Sequence, residues 1–303
     1  MNGILPLWKE RGMTSHDCVF KLRKILQTRK VGHTGTLDPE VEGVLPICIG
    51  QATRIAEYLT DAGKTYEAVV SIGTATTTED AHGEVIEQNR TYKTLERQQL
   101  LQVLKQLTGK IEQTPPMYSA VKVNGRKLYE YARAGQKVER PTRIVMINRL
   151  ELLEQSTMFE GEEIQFSIRV SCSKGTYIRT LAVQIGEALG YPAHMHALVR
   201  TMSGNFTKEN CLTLAQVQQA VEDGQIQHWL MPVEKALTNY PFIELEDAYE
   251  KQILNGQVLP QHALLQKYDK IVYTVGGRAV AIYIAHPTKE QLMKPEKMFP
   301  STI

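Results

Sequence analysis

The part of this sequence best able to do chemistry is a short loop around a single carboxylate. It reads Gly32-His33-Thr34-Gly35-Thr36-Leu37-Asp38-Pro39 and leads into an apolar run at residues 44–49. Glycines allow backbone conformations that other residues avoid, threonines can hydrogen-bond locally, and a proline keeps the residue before it out of the helical region. The pattern predicts a loop that aims Asp38, although an ordinary turn with a structural Asp is the alternative when the octapeptide is taken alone.

Other kinds of site lack their sequence signatures. No Gly-x-x-x-x-Gly-Lys-Ser/Thr occurs, and no Gly-x-Gly-x-x-Gly follows a strand pattern, so a nucleotide-phosphate loop is not supported. His194 and His196 have the spacing of a metal pair, but no further Cys or His nearby completes a ligand set. The four cysteines show no Cys-x-x-Cys spacing and are expected to be buried, reduced thiols. The sequence therefore predicts no metal site.

Length and composition describe an ordinary globular protein. The chain has 303 residues, of which 42% are hydrophobic and 22% charged, so a large core with a small accessory domain is expected. No apolar run reaches the ~18 residues needed to cross a bilayer. The first residues open onto a short apolar segment, without the basic region, long hydrophobic core and cleavage site of a secretory signal. We therefore expect a cytoplasmic protein without a membrane partner.

Basic residues are segregated along the chain. Residues 1–35 carry seven Lys/Arg against two acidic residues, and residues 122–143 again carry seven against two, although the net charge is only +2. Tyrosines at 118, 129 and 131 interleave with the second basic segment. Basic side chains suit phosphates and aromatic rings suit base stacking, so the pattern favours RNA as a partner, with a solvated surface as the alternative.

The elements around the loop follow from hydrophobic spacing. Thr14 and Asp17 form a capping-box pattern at the start of a predicted helix from about 15 to 28. Residues 66–72 alternate as a half-buried strand that begins at Tyr66. Tyr177 and Arg179 lie between a predicted strand and a predicted helix. Because they are two residues apart, they share a side only where the chain is still extended.

Four motifs, in order along the chain, resemble those of pseudouridine synthases of the TruB type. The family signature Gly-His-x-Gly-x-Leu-Asp-Pro, followed by Gly-x-Leu-Pro, is matched at every fixed position from Gly32 to Pro46. The others are Lys64-x-Tyr66, the run 172–181 and the run 193–201. In the family's N-terminal motif, Lys9 and Gly12 are kept, but Glu10 replaces a proline. The resemblance is most specific from residue 9 to residue 201.

The resemblance implies an α+β fold. It implies a catalytic domain at residues 1–240, built on a mixed, mainly antiparallel sheet with flanking helices. Within it, residues 115–143, here called the insertion, correspond to the segment with which the family grips RNA. A small β-rich, PUA-like RNA-binding domain is expected at residues 241–303, where short strands flank Gly276-Gly277.

The resemblance also implies a reaction and its residues. The activity would be isomerisation of the uridine at position 55 of tRNA, in the TΨC loop, to pseudouridine by base flipping, with no cofactor, no metal and no obligate protein partner. Catalysis would fall to Asp38, Tyr66 and Arg179. The expected substrate-binding residues are Lys9, His33, Lys122, Arg126, Lys127, Tyr177 and Leu198.

Taken without the resemblance, the residues also allow two other functions. A non-catalytic RNA-binding protein needs only the basic segments and the β-rich C-terminus. A carboxylate-dependent glycoside hydrolase would need a second acid near Asp38, for which Glu40 and Glu42 are available. Within the pseudouridine synthase reading, Asp38 could attack C1′, attack C6 of the base, or first remove a sugar proton.

Overall fold

The computed structural model describes residues 1–299 apart from the side chains at 247 and 248. Its α-helices are α1 Ser15–Ile25, α2 Ala56–Asp61, α3 Arg97–Gln106, α4 Leu128–Arg133, α5 Ile178–Leu189, α6 Leu214–Glu222 and α7 Asp247–Leu254. Short 3₁₀-helices lie at Gly50–Ile55, Lys208–Asn210, Ile226–Trp229, Val233–Ala236 and Ala263–Gln266. Its first ten strands are β1 Gly3–Lys9, β2 Val31–His33, β3 Glu42–Ile49, β4 Lys64–Ile72, β5 Thr74–Thr76, β6 Val85–Gln88, β7 Lys93–Glu96, β8 Gly109–Gln113, β9 Lys122–Val123 and β10 Arg126–Lys127. The later strands are β11 Arg143–Leu152, β12 Met158–Gly161, β13 Ile164–Cys172, β14 Ala193–Ser203, β15 Phe206–Thr207, β16 Phe242–Glu244, β17 Leu259–Pro260, β18 Lys270–Val275, β19 Arg278–Ala285 and β20 Leu292–Met298.

One large sheet organises the N-terminal part of the chain, from residue 3 to residue 207. Its strands run in the order β1-β3-β14-β4-β13-β11-β8, with β2 added to β3 and β15 to β14. All pairs are antiparallel except β14 with β3. This confirms the expected mixed, mainly antiparallel sheet. The central position of β4 and β14 places the strands that carry Tyr66 and Leu198 side by side.

Helices cover the sheet on both sides of the site. Helices α3 and α5 pack on β4, β13 and β14 in one apolar cluster, and α1 and α6 pack on β1 and β3 in another. Both clusters hold fully buried aliphatic side chains, such as Val70 and Leu181 in the first and Leu22 and Leu45 in the second. Each of these helices and strands therefore buries the apolar face that its sequence periodicity predicts.

Helix α1 shows how local sequence fixes an element beside the site. The predicted capping box is present: the Thr14 side chain accepts from the backbone N–H of Asp17, whose carboxylate accepts from the backbone N–H of Thr14. Cys18 and Leu22 are fully buried on the inner face. The helix ends at Ile25 rather than near 28, because Gln27 has a left-handed φ of 49° that a continuing helix does not allow.

The C-terminal part is β-rich, as expected. Five strands pair in the order β16-β18-β19-β20-β17, and Gly276-Gly277 form the predicted turn between β18 and β19. Val272 and Ile282 of this sheet share an apolar cluster with Ala52 and Ile55 of the N-terminal part. The boundary at 240/241 and the PUA-like character remain predictions, and residues 300–303 lie outside the described residues.

Candidate active site

Hydrogen bonds to the start of α1 hold the loop that carries Asp38. It leaves β2 at His33, returns at β3, and is held by Ser15 at the N-terminus of α1, whose Oγ accepts from the backbone N–H of Leu37 at 2.9 Å. Gly35 has φ +131°, and a side chain there would approach the pocket-facing atoms of Lys64 and Arg200. The loop thus leaves the Asp38 side chain 43% exposed at its tip.

Lys9, which the sequence predicts as a substrate-binding residue, lies in the protein interior beneath this loop. It is fully buried, and its Nζ donates to the carbonyls of Glu10, Pro39 and Val41 at 3.0, 3.1 and 2.7 Å. Burial lowers the pKa of its ammonium. In this structure its three donors are used by backbone carbonyls, so Lys9 fixes the chain on both sides of Asp38.

Arg179 is brought to Asp38 by the first turn of α5. Its Nε lies 3.2 Å from Oδ2 of Asp38, and the side chain is only 7% exposed. Its other nitrogens donate to the carbonyls of Thr78 at 3.0 Å and Tyr118 at 2.9 Å, and its Nη1 lies 3.8 Å from the carboxylate of Asp80. The guanidinium is therefore fixed before any ligand arrives, with one edge turned to Asp38.

Asp38 and Arg179 open onto a pocket of about 340 Å³. Tyr66, Tyr177 and Leu198, which sequence motifs singled out, all line it. Burial raises the pKa of the Tyr66 phenol even though the neighbouring Arg200 charge favours the phenolate, and burial likewise raises the pKa of Tyr177. A carboxylate at the mouth of a pocket walled by an aromatic ring and a leucine suits a flat ring held face-on.

Three cationic pocket residues were missed by the sequence reasoning: Lys64 and Arg200, which are buried, and Lys174, which is exposed. Lys64 lines the pocket, and burial, aided by the Arg200 charge, lowers its pKa to about 8. Arg200 is fully buried; its Nε donates to the Val44 carbonyl at 2.8 Å, while its two terminal nitrogens have no hydrogen bond of ordinary geometry within the described residues. The signal was available, because Lys64 begins the Lys-x-Tyr motif and Arg200 follows Leu198 by two residues.

The remaining predicted RNA contacts lie outside the pocket. His33 is half-buried at the end of β2, and burial lowers the pKa of its ring. Lys122, Arg126 and Lys127 lie on the β9–β10 hairpin of the insertion, which turns at Asn124-Gly125. The insertion tyrosines are partly used within the protein, since Arg126 lies over the Tyr131 ring at 4.5 Å and Lys127 over the Tyr129 ring at 5.4 Å.

Neither a cluster of metal-ligating side chains nor a membrane-spanning helix occurs in the described part of the chain. Between residues 1 and 299, with the two side chains noted above set aside, no three His, Cys, Asp or Glu side chains are grouped so that they could hold a metal ion. Over the same residues, no helix is long and apolar enough to cross a membrane.

Family models match most of the chain. Residues 23–178 match the N-terminal domain of TruB family pseudouridylate synthases, and residues 179–238 match the C-terminal domain of tRNA pseudouridylate synthase B. The chain belongs to the TruB family. Membership confirms the resemblance carried by the four motifs and makes the chain a pseudouridine synthase, an isomerase.

Individual relatives agree over the full length. The tRNA pseudouridine synthase B of Bacillus pumilus is 53% identical over 302 residues, covering 98% of this chain and 97% of the relative. That of Geobacillus thermodenitrificans is 54% identical over 301 residues, covering 99% and 100%.

Solved structures agree with the fold of this TruB family member. A Cbf5-Nop10-Gar1 complex contains a chain with a TM-score of 0.73 at 31% identity, covering 98% of this chain and 85% of the matched one. An H/ACA RNP bound to a substrate RNA containing 2′-deoxyuridine gives a TM-score of 0.71 at 27% identity, with the same coverage.

Proposed function

We propose that this chain isomerises the uridine at position 55, in the T loop of tRNA, to pseudouridine, with Asp38 as the reacting carboxylate. The observation that carries the proposal is the Asp38–Arg179 ion pair at the mouth of a pocket walled by Tyr66 and Leu198. The reaction breaks the bond from C1′ to N1 of uracil, turns the ring, and forms a bond from C1′ to C5. The proton leaves C5 and N1 gains one, so no electrons enter or leave.

Asp38 starts the reaction because it is the carboxylate that lines the pocket, is partly exposed and lies beside a fixed counter-charge. Arg179 needs no rearrangement to hold the carboxylate as it reacts, since its other hydrogen bonds are already made to backbone carbonyls. Confinement between Tyr66 and Leu198 keeps the detached ring beside the sugar while it turns.

Tyr66 acts first as a packing surface for the base. Its raised pKa keeps the phenol protonated near neutral pH, so removal of the C5 proton by Tyr66 would depend on the adjacent Arg200 charge, which favours the phenolate. Tyr177 completes the wall of the pocket from the side of α5.

RNA would be gripped around this pocket. His33 would fill the gap that the flipped base leaves in the RNA stack, and Lys122, Arg126 and Lys127 would contact phosphates. The β-rich C-terminal part would add contacts to RNA beyond the T stem-loop. The site of action would be the cytoplasm.

Tritium release tests the proposal. A tRNA transcript labelled at uridine C5 is incubated with the pure protein without added cofactor, next to a transcript in which U55 is replaced by C. The expected result is release of about one tritium per U55 transcript and none above background from the C55 transcript, since conversion frees one C5 hydrogen. Tight RNA binding without release would contradict the proposal and favour the non-catalytic alternative.

A further inference from the structure

The loop that supports Arg179 contains a glutamate in a left-handed backbone conformation. Glu79 has φ +62°, which is uncommon for a residue with a side chain and costs free energy that contacts with the surroundings must offset. Such outliers concentrate where a protein needs a particular geometry. The loop lies between β5 and β6, next to the first turn of α5.

The bend at Glu79 turns its neighbours toward Arg179. The carbonyl of Thr78 accepts from Nη1 of Arg179 at 3.0 Å, and the carboxylate of Asp80 lies 3.8 Å from the same nitrogen. The carbonyl of Glu79 itself points to β14, where it accepts from the backbone N–H of Met195 at 3.0 Å. The left-handed conformation of Glu79 thus places two acceptors, the Thr78 carbonyl and the Asp80 carboxylate, against Arg179.

The Glu79 side chain explains what holds the bend. Its Oε2 accepts from Oγ1 of Thr180 at 2.7 Å, and its Oε1 lies 4.0 Å from Nη1 of Arg140, with the side chain only 20% exposed. Thr180 directly follows Arg179 on α5. The Glu79 carboxylate therefore connects α5, which carries Arg179, to Arg140 of the insertion.

Arg140 lies at the neck of the insertion, where its two ends meet. Its Nη1 also donates to the carbonyl of Pro115 at 3.0 Å, and the hydroxyls of Thr114 and Thr142 are 3.0 Å apart across the same neck. The insertion contacts Arg179 directly as well, through the carbonyl of Tyr118. A movement of the insertion about its neck would therefore displace a partner of Glu79, which is Arg140, and a partner of Arg179, which is the Tyr118 carbonyl.

We propose that Glu79 is a positioning residue that links the neck of the insertion to the Asp38–Arg179 pair, so that the reaction rate depends on how the RNA-gripping segment is seated. The inference rests on the proposed function. Glu79 does not line the pocket. It acts through Thr78 and Asp80 on Arg179 on one side, and through Arg140 on the insertion on the other.

The test compares single-turnover rates at saturating T stem-loop RNA for the wild type, Glu79→Gln, Arg140→Gln and the double variant. Glutamine keeps the size of the side chain and can still accept from Thr180, but loses the charge that attracts Arg140. Glu84→Gln is the matched control, because Glu84 is exposed in the same loop and its carboxylate has no hydrogen bond or ion pair within residues 1–299. Saturating RNA removes any contribution of Arg140 to affinity.

We expect Glu79→Gln to slow the chemical step about threefold to tenfold, with RNA affinity and the unfolding midpoint close to those of Glu84→Gln. The double variant should be no slower than the slower single variant, since both changes break one link. A Glu79→Gln rate equal to that of Glu84→Gln, or rate losses that multiply in the double variant, would overturn the inference while the wild type remains active. An inactive wild type would instead contradict the proposed function on which the inference rests.

Discussion

Asp38 is 43% exposed, whereas its partner Arg179 is almost entirely buried. That asymmetry suits a group that must meet a substrate while its counter-charge stays in place. Arg179 is held by Thr78, Tyr118 and Asp80, so its orientation does not depend on Asp38. The preorganised cation can thus hold the carboxylate through the reaction without reorganisation of its own.

Lys64 gives a residue-scale prediction about stability and pH. Burial lowers its pKa from 10.5 to about 8 in the folded protein. Between these values the unfolded chain binds more protons than the folded one, so the stability contributed by this group rises as the pH rises above about 8. From pH 7 to pH 9, the wild type should gain about 1 kcal/mol of unfolding free energy relative to Lys64→Met.

Denaturant unfolding of both proteins at pH 7 and pH 9 measures this gain. The buried thiols of Cys18, Cys48 and Cys172 act in the opposite direction, because burial raises their pKa values and the unfolded chain ionises first. Both proteins share that effect, so the difference between them isolates Lys64. A difference that stays constant across this pH range would show that Lys64 is not held in the environment described.

At the scale of elements, the insertion presents a basic hairpin on a narrow neck. Val121 and Leu128 are buried beneath it, but Lys122 and Arg126 are exposed. We expect residues 117–143 to be mobile in the free protein and ordered on RNA, because the seven basic residues against two acidic ones at 122–143 repel the other basic segment. Trypsin should cut near Arg126 rapidly in the free protein and slowly when a T stem-loop is bound.

Salt dependence tests the same element quantitatively. Each basic side chain that contacts a phosphate should add about 0.7 to 0.9 to the slope of log affinity against log salt. Arg126→Gln should flatten that slope by this amount, and Lys105→Gln, at an exposed position on α3, should leave it unchanged. Equal trypsin protection with and without RNA, together with an unchanged slope for Arg126→Gln, would make the insertion an ordinary packed element.

The sequence predicted elements better than it predicted contacts between them. The strand that includes Tyr66, the capping box of α1 and the Gly276-Gly277 turn depend on local spacing and turn chemistry, which a sequence displays directly. Burial of Lys9 was missed because its three acceptors are backbone carbonyls, which carry no sequence signal. Arg179 and Thr78 are 101 residues apart, so their contact depends on the tertiary fold.

At the scale of the whole molecule, the C-terminal sheet is joined to the catalytic part by charge as well as by apolar contact. Glu296 accepts from the Tyr58 hydroxyl of α2 and forms an ion pair with Lys270 at 2.5 Å. Lys297 pairs with Glu57 at 2.8 Å, and Arg54 donates to the carbonyl of Met298 at 3.0 Å. These contacts border an apolar cluster to which both parts contribute.

Glu296→Ala should therefore lower the stability of the whole chain by about 1–3 kcal/mol, because it leaves the Tyr58 hydroxyl and the Lys270 ammonium without their acceptor. Glu290→Ala is the control, since Glu290 is exposed in the same part of the chain. Denaturant unfolding followed by fluorescence and by circular dichroism should give one coincident transition. Separate transitions, or equal stabilities for the two variants, would show that this network does not couple the parts.

Pseudouridine formation by Asp38→Asn in a T stem-loop RNA tests most directly whether Asp38 is the reacting carboxylate. Tritium release is measured for this variant, the wild type and Glu40→Gln. The amide keeps the shape of the side chain but loses the charge that starts the reaction. We predict no release from Asp38→Asn, RNA affinity within about tenfold of the wild type, and an active Glu40→Gln, since Glu40 is exposed and the pocket is not lined by it. Turnover by Asp38→Asn above a few per cent of the wild-type rate would contradict the assignment of Asp38 as the reacting carboxylate.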